Sequence, residues 1–229
     1  MTMHLPRHTL VWIDVRRRDG FIRCVEDVSA QALVDEWLAR DRPLIVRRRD
    51  AATDADHLAL GVPLPPAEGR RRIAVAARPD IVVRACEPPL LRDTAGRLPA
   101  AWRRPLDALV ADLHSNGVAP RVYGSALWEA ITGLSYLGPD SDIDLLWRPR
   151  SEAELEAACA SIQRWEARYG RRADGEFLLQ DGAAVSWREW SRRSEDGRVI
   201  VKRIDGAALC ARAEIAARLR ASPMLERAA

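Results

Sequence analysis

The strongest constraint on how this chain folds is the segment Ser141-Asp142-Ile143-Asp144-Leu145-Leu146-Trp147. Two carboxylates alternate with apolar residues inside an otherwise apolar run. Successive side chains of a strand point to opposite faces. Asp142 and Asp144 therefore share one face, while Ile143, Leu145 and Trp147 share the other. The pattern predicts a strand over 142–147 with one side in a core and the other polar. Two like charges at this spacing repel unless something positive lies between them. The usual remedy is Mg²⁺, which prefers carboxylate oxygens together with substrate phosphates. The segment thus predicts a two-faced sheet and a metal site, Asp142 and Asp144, on its polar face. Ser141 is placed to orient the aspartates.

Upstream, Tyr123-Gly124-Ser125-Ala126-Leu127-Trp128 predicts a strand over 119–123, a turn at Gly124-Ser125 and a helix from Ala126 to Thr132. Gly124 permits the backbone conformation and close approach that a phosphate-cradling turn requires. Ser125 and the first N–H groups of the helix can donate to phosphate oxygens, aided by the helix dipole. Alone, a Gly-Ser pair is an ordinary strand-to-helix turn. Beside an acidic pair it is the equipment of a phosphoryl or nucleotidyl transferase. A third carboxylate is expected on a strand after the next helix. Asp174 and Glu176 both meet that placement, as a general base on an incoming hydroxyl or a further metal ligand. Lys202 is the only lysine among 36 basic residues. A compact ammonium surviving that bias toward Arg marks a position where a planar guanidinium would not serve.

Other chemistries find no support. There is no Gly-x-Ser-x-Gly elbow, no His-Glu-x-x-His and no Walker-type loop, and the four histidines show no ligand spacing. The four cysteines, Cys24, Cys86, Cys159 and Cys210, are scattered and read as buried free thiols. The net charge is only +3, with arginines clustered at 16–18, 47–49, 70–72, 171–172 and 192–193. Such clusters can steer an acidic partner. The aromatic-interleaved basic pattern of a single-strand binder is missing, so no nucleic-acid partner is expected. No apolar run approaches the roughly 20 residues of a membrane span. The N-terminus lacks a signal-peptide pattern, so a cytoplasmic protein is expected.

The fold class expected is α/β (α+β), in two domains, 1–87 and 88–229. The first reads as a small α/β unit: strands at 9–13, 43–46, 73–76 and 81–83, a helix from a Ser29 cap to Arg40, and a loop over 60–66. The second reads as a mixed sheet flanked by helices. Its helices are expected from Pro105 to His114, closed by Asn116-Gly117, and from a capping box at Ser151-Glu152-Ala153-Glu154 to Tyr169. A hairpin over 172–186, a strand over 198–202 and a last helix from an Asp205 cap to Leu219 follow. A frayed tail is expected after Ser222.

The Gly-Ser turn, helix, Asp-x-Asp strand and later carboxylate resemble the polymerase-β-like nucleotidyltransferase superfamily. The interval from Ser125 to Asp142 is 142 − 125 = 17 positions, longer than is common there, which implies an extra loop at 132–139. A narrower resemblance is to the malonate decarboxylase holo-acyl-carrier-protein synthase family. It is carried by Tyr123–Glu129, Thr132-Gly133-Leu134, Tyr136-Leu137, Ser141–Leu146, Asp174-Gly175-Glu176, Val185–Glu189, Val199–Lys202, Arg42–Arg48 and Leu60–Pro65. This resemblance implies a phosphoribosyl-dephospho-CoA transferase. Its donor would be 2′-(5″-triphosphoribosyl)-3′-dephospho-CoA and its acceptor a serine of the apo acyl carrier protein subunit of malonate decarboxylase. Gly124 and Ser125 would then hold phosphates, and Lys202 with Arg188 would offset the pyrophosphate charge. The first domain would help bind donor or carrier. The alternatives are a nucleotidyltransferase with another acceptor, or a catalytically dead binding domain.

Overall fold

The computed structural model describes residues 5–17, 21–22, 28–50, 53–192 and 197–220. Cys24, Arg18, Arg193 and the tail after Ser222 lie outside the described residues, as does the side chain of Ser29. Two compact units are present. One comprises Met1–Pro88, Thr132–Tyr136 and Ile204–Gly206, the other Pro89–Ile131, Leu137–Arg203 and Ala207–Ala229.

The first unit is built on an antiparallel sheet. Its strands are β1 (Leu10–Ile13), β2 (Phe21–Ile22), β3 (Leu44–Val46), β4 (Leu58–Pro63), β5 (Arg72–Ala77) and β6 (Val82–Cys86). They are ordered β2-β5-β4-β3-β1-β6. Helix α1 (Val28–Ala39) begins one residue before the expected Ser29 cap. Leu60–Pro63, expected as loop, is instead the second half of inner strand β4, whose residues 58–62 are buried. Glycine and proline punctuation misled there. A Cβ on Gly61 would be only in ordinary contact, 3.7 Å from Ile45. Pro63 stands at the strand end, so at most a terminal ladder bond is lost.

The second unit holds α2 (Leu91–Thr94), α3 (Ala100–Ser115), β7 (Arg121–Tyr123), α4 (Gly124–Thr132), β8 (Ile143–Trp147), α5 (Glu152–Tyr169), β9 (Ala173–Leu178), β10 (Ala184–Ser186), α6 (Trp187–Arg192), β11 (Arg198–Lys202), β12 (Ala207–Ala211) and α7 (Arg212–Arg220). The sheet order is β12-β11-β10-β9-β8-β7. The β8–β9 pair is parallel and the other neighbours antiparallel. Parallel neighbours need a long crossover, and α5 supplies it. Its N-terminus is capped by Ser151, whose hydroxyl accepts the Glu154 amide at 3.1 Å, and its C-terminus by left-handed Gly170. One sheet face, with Ile143, Leu145, Trp147, Phe177, Val185, Val199 and Val201, packs with Leu106, Leu109, Leu155, Ile162, Trp187 and Trp190 of the helices. Each large apolar side chain so buried stabilises by about 1.5–3 kcal/mol.

Three further expectations are corrected. Helix α3 starts at Ala100, before Pro105 rather than on it. A proline inside a helix removes the amide that would bond the carbonyl four residues back. Here that carbonyl, of Ala101, accepts from Arg171 at 3.2 Å, and the Pro105 carbonyl accepts from the Trp165 indole at 2.6 Å. The alanine-rich stretch after Asp205 is strand β12, and only from Arg212 is it helix. Pairing with β11, as in Ile200↔Leu209 and Val199↔Cys210, overrides its helix propensity. Among the cysteines, Cys159 is buried but Cys86 is exposed on edge strand β6.

The architecture is mixed α+β, as expected. Among the described residues no helix is long and apolar enough to cross a membrane.

Candidate active site

The polar face of the second sheet carries the predicted carboxylates. In β8, Asp144 is half-buried and lies opposite Tyr123 of β7 on one side and Asp174 of β9 on the other. Residues in register share a sheet face. Asp144, Asp174 and, two residues along β9, Glu176 therefore line one face. The ladder of β8 starts at Ile143, so Asp142 stands one residue before the strand. Its side chain is 32% exposed and lies 3.5 Å from the Arg172 guanidinium. The apolar residues Leu146, Leu178, Ala184 and Tyr123 pack together on the same face.

The Gly-Ser turn meets this face directly. Helix α4 begins at Gly124, with no intervening loop after β7. Gly124 has φ +62°, and a Cβ there would lie 1.8 Å from Oδ2 of Asp144. Glycine is required twice over, for a left-handed backbone and for the space that the Asp144 carboxylate occupies. Ser125 follows, half-buried in the first turn of the helix. A second glycine has the same importance. Gly175 has φ +143°, and a Cβ would lie 2.0 Å from the Leu145 carbonyl oxygen. Its lack of a side chain lets β9 close on β8 between Asp174 and Glu176.

The two candidate third carboxylates have different surroundings. Asp174 is half-buried, and its Oδ1 accepts the Gly175 amide at 2.8 Å. The Glu176 side chain is 6% exposed and accepts from the Lys202 ammonium at 2.8 Å. Lys202 is thus on the predicted face. Arg188 has a different setting. It pairs with Glu166 of α5 and donates to the Ala173 carbonyl at 2.6 Å, bracing α5 against the start of β9. Helix α6, which carries it, buries Trp187 and Trp190 in the core on the opposite sheet face.

Two groups have roles that the sequence did not assign to them. Glu129 of α4 accepts the Leu137 amide at 2.7 Å, and the Ser141 hydroxyl accepts the Gly138 amide at 2.8 Å. Together they pin the turn that delivers Asp142, so Ser141 acts on the turn rather than on the aspartates. The second group is Asp54, Asp56 and His57 in the first unit, whose ligand atoms all lie within 4.8 Å of one another. The signal was a plain Asp-x-Asp-His. His57 Nδ1 sits 2.7 Å from Asp56, and this hydrogen bond holds the Asp56 carboxyl below its ordinary range. Asp142, Asp144 and Asp174 do not converge so tightly.

The polar face nevertheless suits a hard divalent cation. Its donors are carboxylate oxygens, as Mg²⁺ prefers, and the missing Cβ of Gly124 makes room for one of them.

The family models for the N-terminal and C-terminal domains of phosphoribosyl-dephospho-CoA transferase MdcG match residues 6–88 and 90–213. The chain belongs to the phosphoribosyl-dephospho-CoA transferase family. The phosphoribosyl-dephospho-CoA transferase of Xanthomonas campestris pv. campestris (strain 8004) is 40% identical over 206 residues, 90% of this chain and 94% of the relative. The protein of the same name from Bradyrhizobium diazoefficiens is 36% identical over 183 residues, 80% of each chain. That of Azotobacter vinelandii is 32% identical over 218 residues, 91% of this chain and 94% of the relative. No solved structure matches the chain.

Proposed function

We propose that this chain transfers the phosphoribosyl-dephospho-CoA group from 2′-(5″-triphosphoribosyl)-3′-dephospho-CoA to a serine of the apo acyl carrier protein subunit of malonate decarboxylase. The observation that carries the reading is the register of Asp144 with Asp174, beside a glycine whose missing Cβ is filled by the Asp144 carboxylate. The serine oxygen forms a bond to the α-phosphorus, the bond from that phosphorus to the pyrophosphate oxygen breaks, and the serine proton leaves with a carboxylate. Asp174 takes that proton. It is half-buried beside Asp144, with one oxygen oriented by the Gly175 amide, whereas Glu176 is held in an ion pair. Asp142 and Asp144 would hold Mg²⁺, which when bound supplies charge neutralisation across the attacking and leaving oxygens. Gly124 and Ser125 at the start of α4 hold the outer phosphates through N–H groups and the helix dipole. Catalysis is then chiefly positioning and electrostatics.

Intact mass of the apo carrier tests this. With donor and Mg²⁺, its mass should rise by one prosthetic group, and the Asp144→Asn variant should leave it unchanged while melting like the parent. An unmodified carrier with a competent donor and the parent protein would sink the proposal.

A further inference from the structure

Glu176 is a buried acid that the transfer step above does not use, and the solitary lysine of the chain is its partner. The two come from strands separated by a third. Lys202 on β11 lies opposite Ala184 of β10, and Glu176 on β9 lies opposite Ser186 of β10. The small side chains of β10 leave the sheet face low enough for the lysine stem to cross it. Its ammonium ends 2.8 Å from Oε1 of Glu176, two residues along the strand from Asp174 and on the same face. The Glu176 side chain is 6% exposed, whereas the Lys202 side chain is 37% exposed. An ammonium carries three N–H donors, and among the described residues one of them is committed, to Glu176. An arginine would present a planar fork that a carboxylate engages bidentately. Its remaining donors would be held in the guanidinium plane, whereas the two remaining N–H groups of an ammonium point tetrahedrally away from Glu176.

We infer that Glu176 is a positioning residue, which fixes the Lys202 ammonium on the carboxylate face so that its remaining N–H donors take phosphate oxygens of the donor. The inference deepens, and rests on, the transfer reaction proposed above. It assigns the lone lysine to anchoring the outer phosphates and removes Glu176 from the candidates for proton transfer.

The test is a double-mutant cycle read by calorimetric binding of inorganic pyrophosphate with Mg²⁺. It compares the parent, Glu176→Gln, Lys202→Met and the double variant. A lost charge-assisted contact should weaken binding about tenfold in each single variant. The double variant should bind no more weakly than Lys202→Met alone, because Glu176 acts through Lys202. Unchanged affinity in Glu176→Gln, or two losses that multiply, would overturn the inference. Lys202→Met strands a buried carboxylate. Should it not fold, Glu176→Gln alone decides. Binding about tenfold weaker, with transfer at saturating donor within about threefold of the parent, supports positioning. Unchanged binding with transfer lost assigns Glu176 to the proton step and refutes it. If the cycle shows the expected coupling but no carrier is modified, the acceptor assignment fails and the role of the pair stands. A parent protein that does not bind pyrophosphate overturns the inference.

Discussion

Gly124→Ala separates the site from the fold more cleanly than removing a carboxylate. Two costs follow from the structure. The backbone is left-handed at φ +62°, which costs a residue with a Cβ about 1–2 kcal/mol. Part of this is offset, because alanine lowers the entropy of the unfolded chain by about 0.4–1 kcal/mol. The net loss of about 1 kcal/mol should lower the melting temperature by about 2–4 °C in a chain of this size. The second cost falls on Asp144. The new Cβ would meet Oδ2 at 1.8 Å, and ordinary contact begins at 3.4 Å, so the carboxylate must move by about 3.4 − 1.8 = 1.6 Å. A misplacement of about 1 Å in a reacting constellation can cost 10²-fold in rate. Gly124→Ala should therefore lose at least about 100-fold in carrier modification while still melting within a few degrees of the parent. Gly170→Ala is the matched control, because Gly170 has φ +61° but nothing within 4 Å of the place a Cβ would take. It should show the same small drop in melting temperature and full activity. If the two variants are equally active, the Gly124–Asp144 contact has no part in the reaction.

Other outcomes follow from the same geometry. Gly175→Ala should be far worse for stability than Gly124→Ala. Its Cβ would strike the Leu145 backbone oxygen at 2.0 Å with φ at +143°, a cost of at least about 3 kcal/mol; chemical denaturation measures it, and a midpoint near the parent's would contradict the β8–β9 packing. The Tyr136 hydroxyl donates to the Pro63 carbonyl at 2.8 Å, and burial pushes its pKa up, so it stays a phenol and a donor. Tyr136→Phe should lower stability by about 1 kcal/mol, and an unchanged melting curve would deny that bond a role. Burial pushes the Cys159 thiol up to about 11, whereas Cys86 is exposed. Iodoacetamide at pH 8 should label Cys86 in the folded protein and reach Cys159 only in denaturant. Equal labelling of the two, mapped by mass spectrometry, would contradict the burial.

The residues whose local chemistry is strong were the readable ones. The alternation at 142–147 foretold a two-faced strand, and the capping box at Ser151 opened the long crossover helix. Asp174 and Glu176 could not be told apart in sequence, because both sit at the right place. What separates them is their partners: the neighbouring Gly175 amide of the same strand for Asp174, and Lys202 of β11 for Glu176. Arg188, expected from the resemblance beside the pyrophosphate, has partners that the sequence did not show: Glu166 of α5 and the Ala173 carbonyl. The misread segments share a cause. Leu58–Pro63 and Ala207–Ala211 are strands because a neighbouring strand pairs with them, against their own glycine, proline or alanine content. Two of the arginine clusters supply braces. Arg47 donates to the Leu60 carbonyl of β4, Arg49 to the His57 carbonyl just before that strand, and Arg171 to the carbonyl freed by Pro105.

If the proposed chemistry holds, metal and phosphates meet on the face of β8 and β9. A crystal of the protein grown with Mn²⁺ in place of Mg²⁺, together with pyrophosphate, tests it by anomalous scattering. The expected result is a peak bonded by oxygens of Asp142 and Asp144, with pyrophosphate reaching toward Ser125 and Lys202. A peak confined to Asp54, Asp56 and His57, with none on the β8–β9 face, would contradict it.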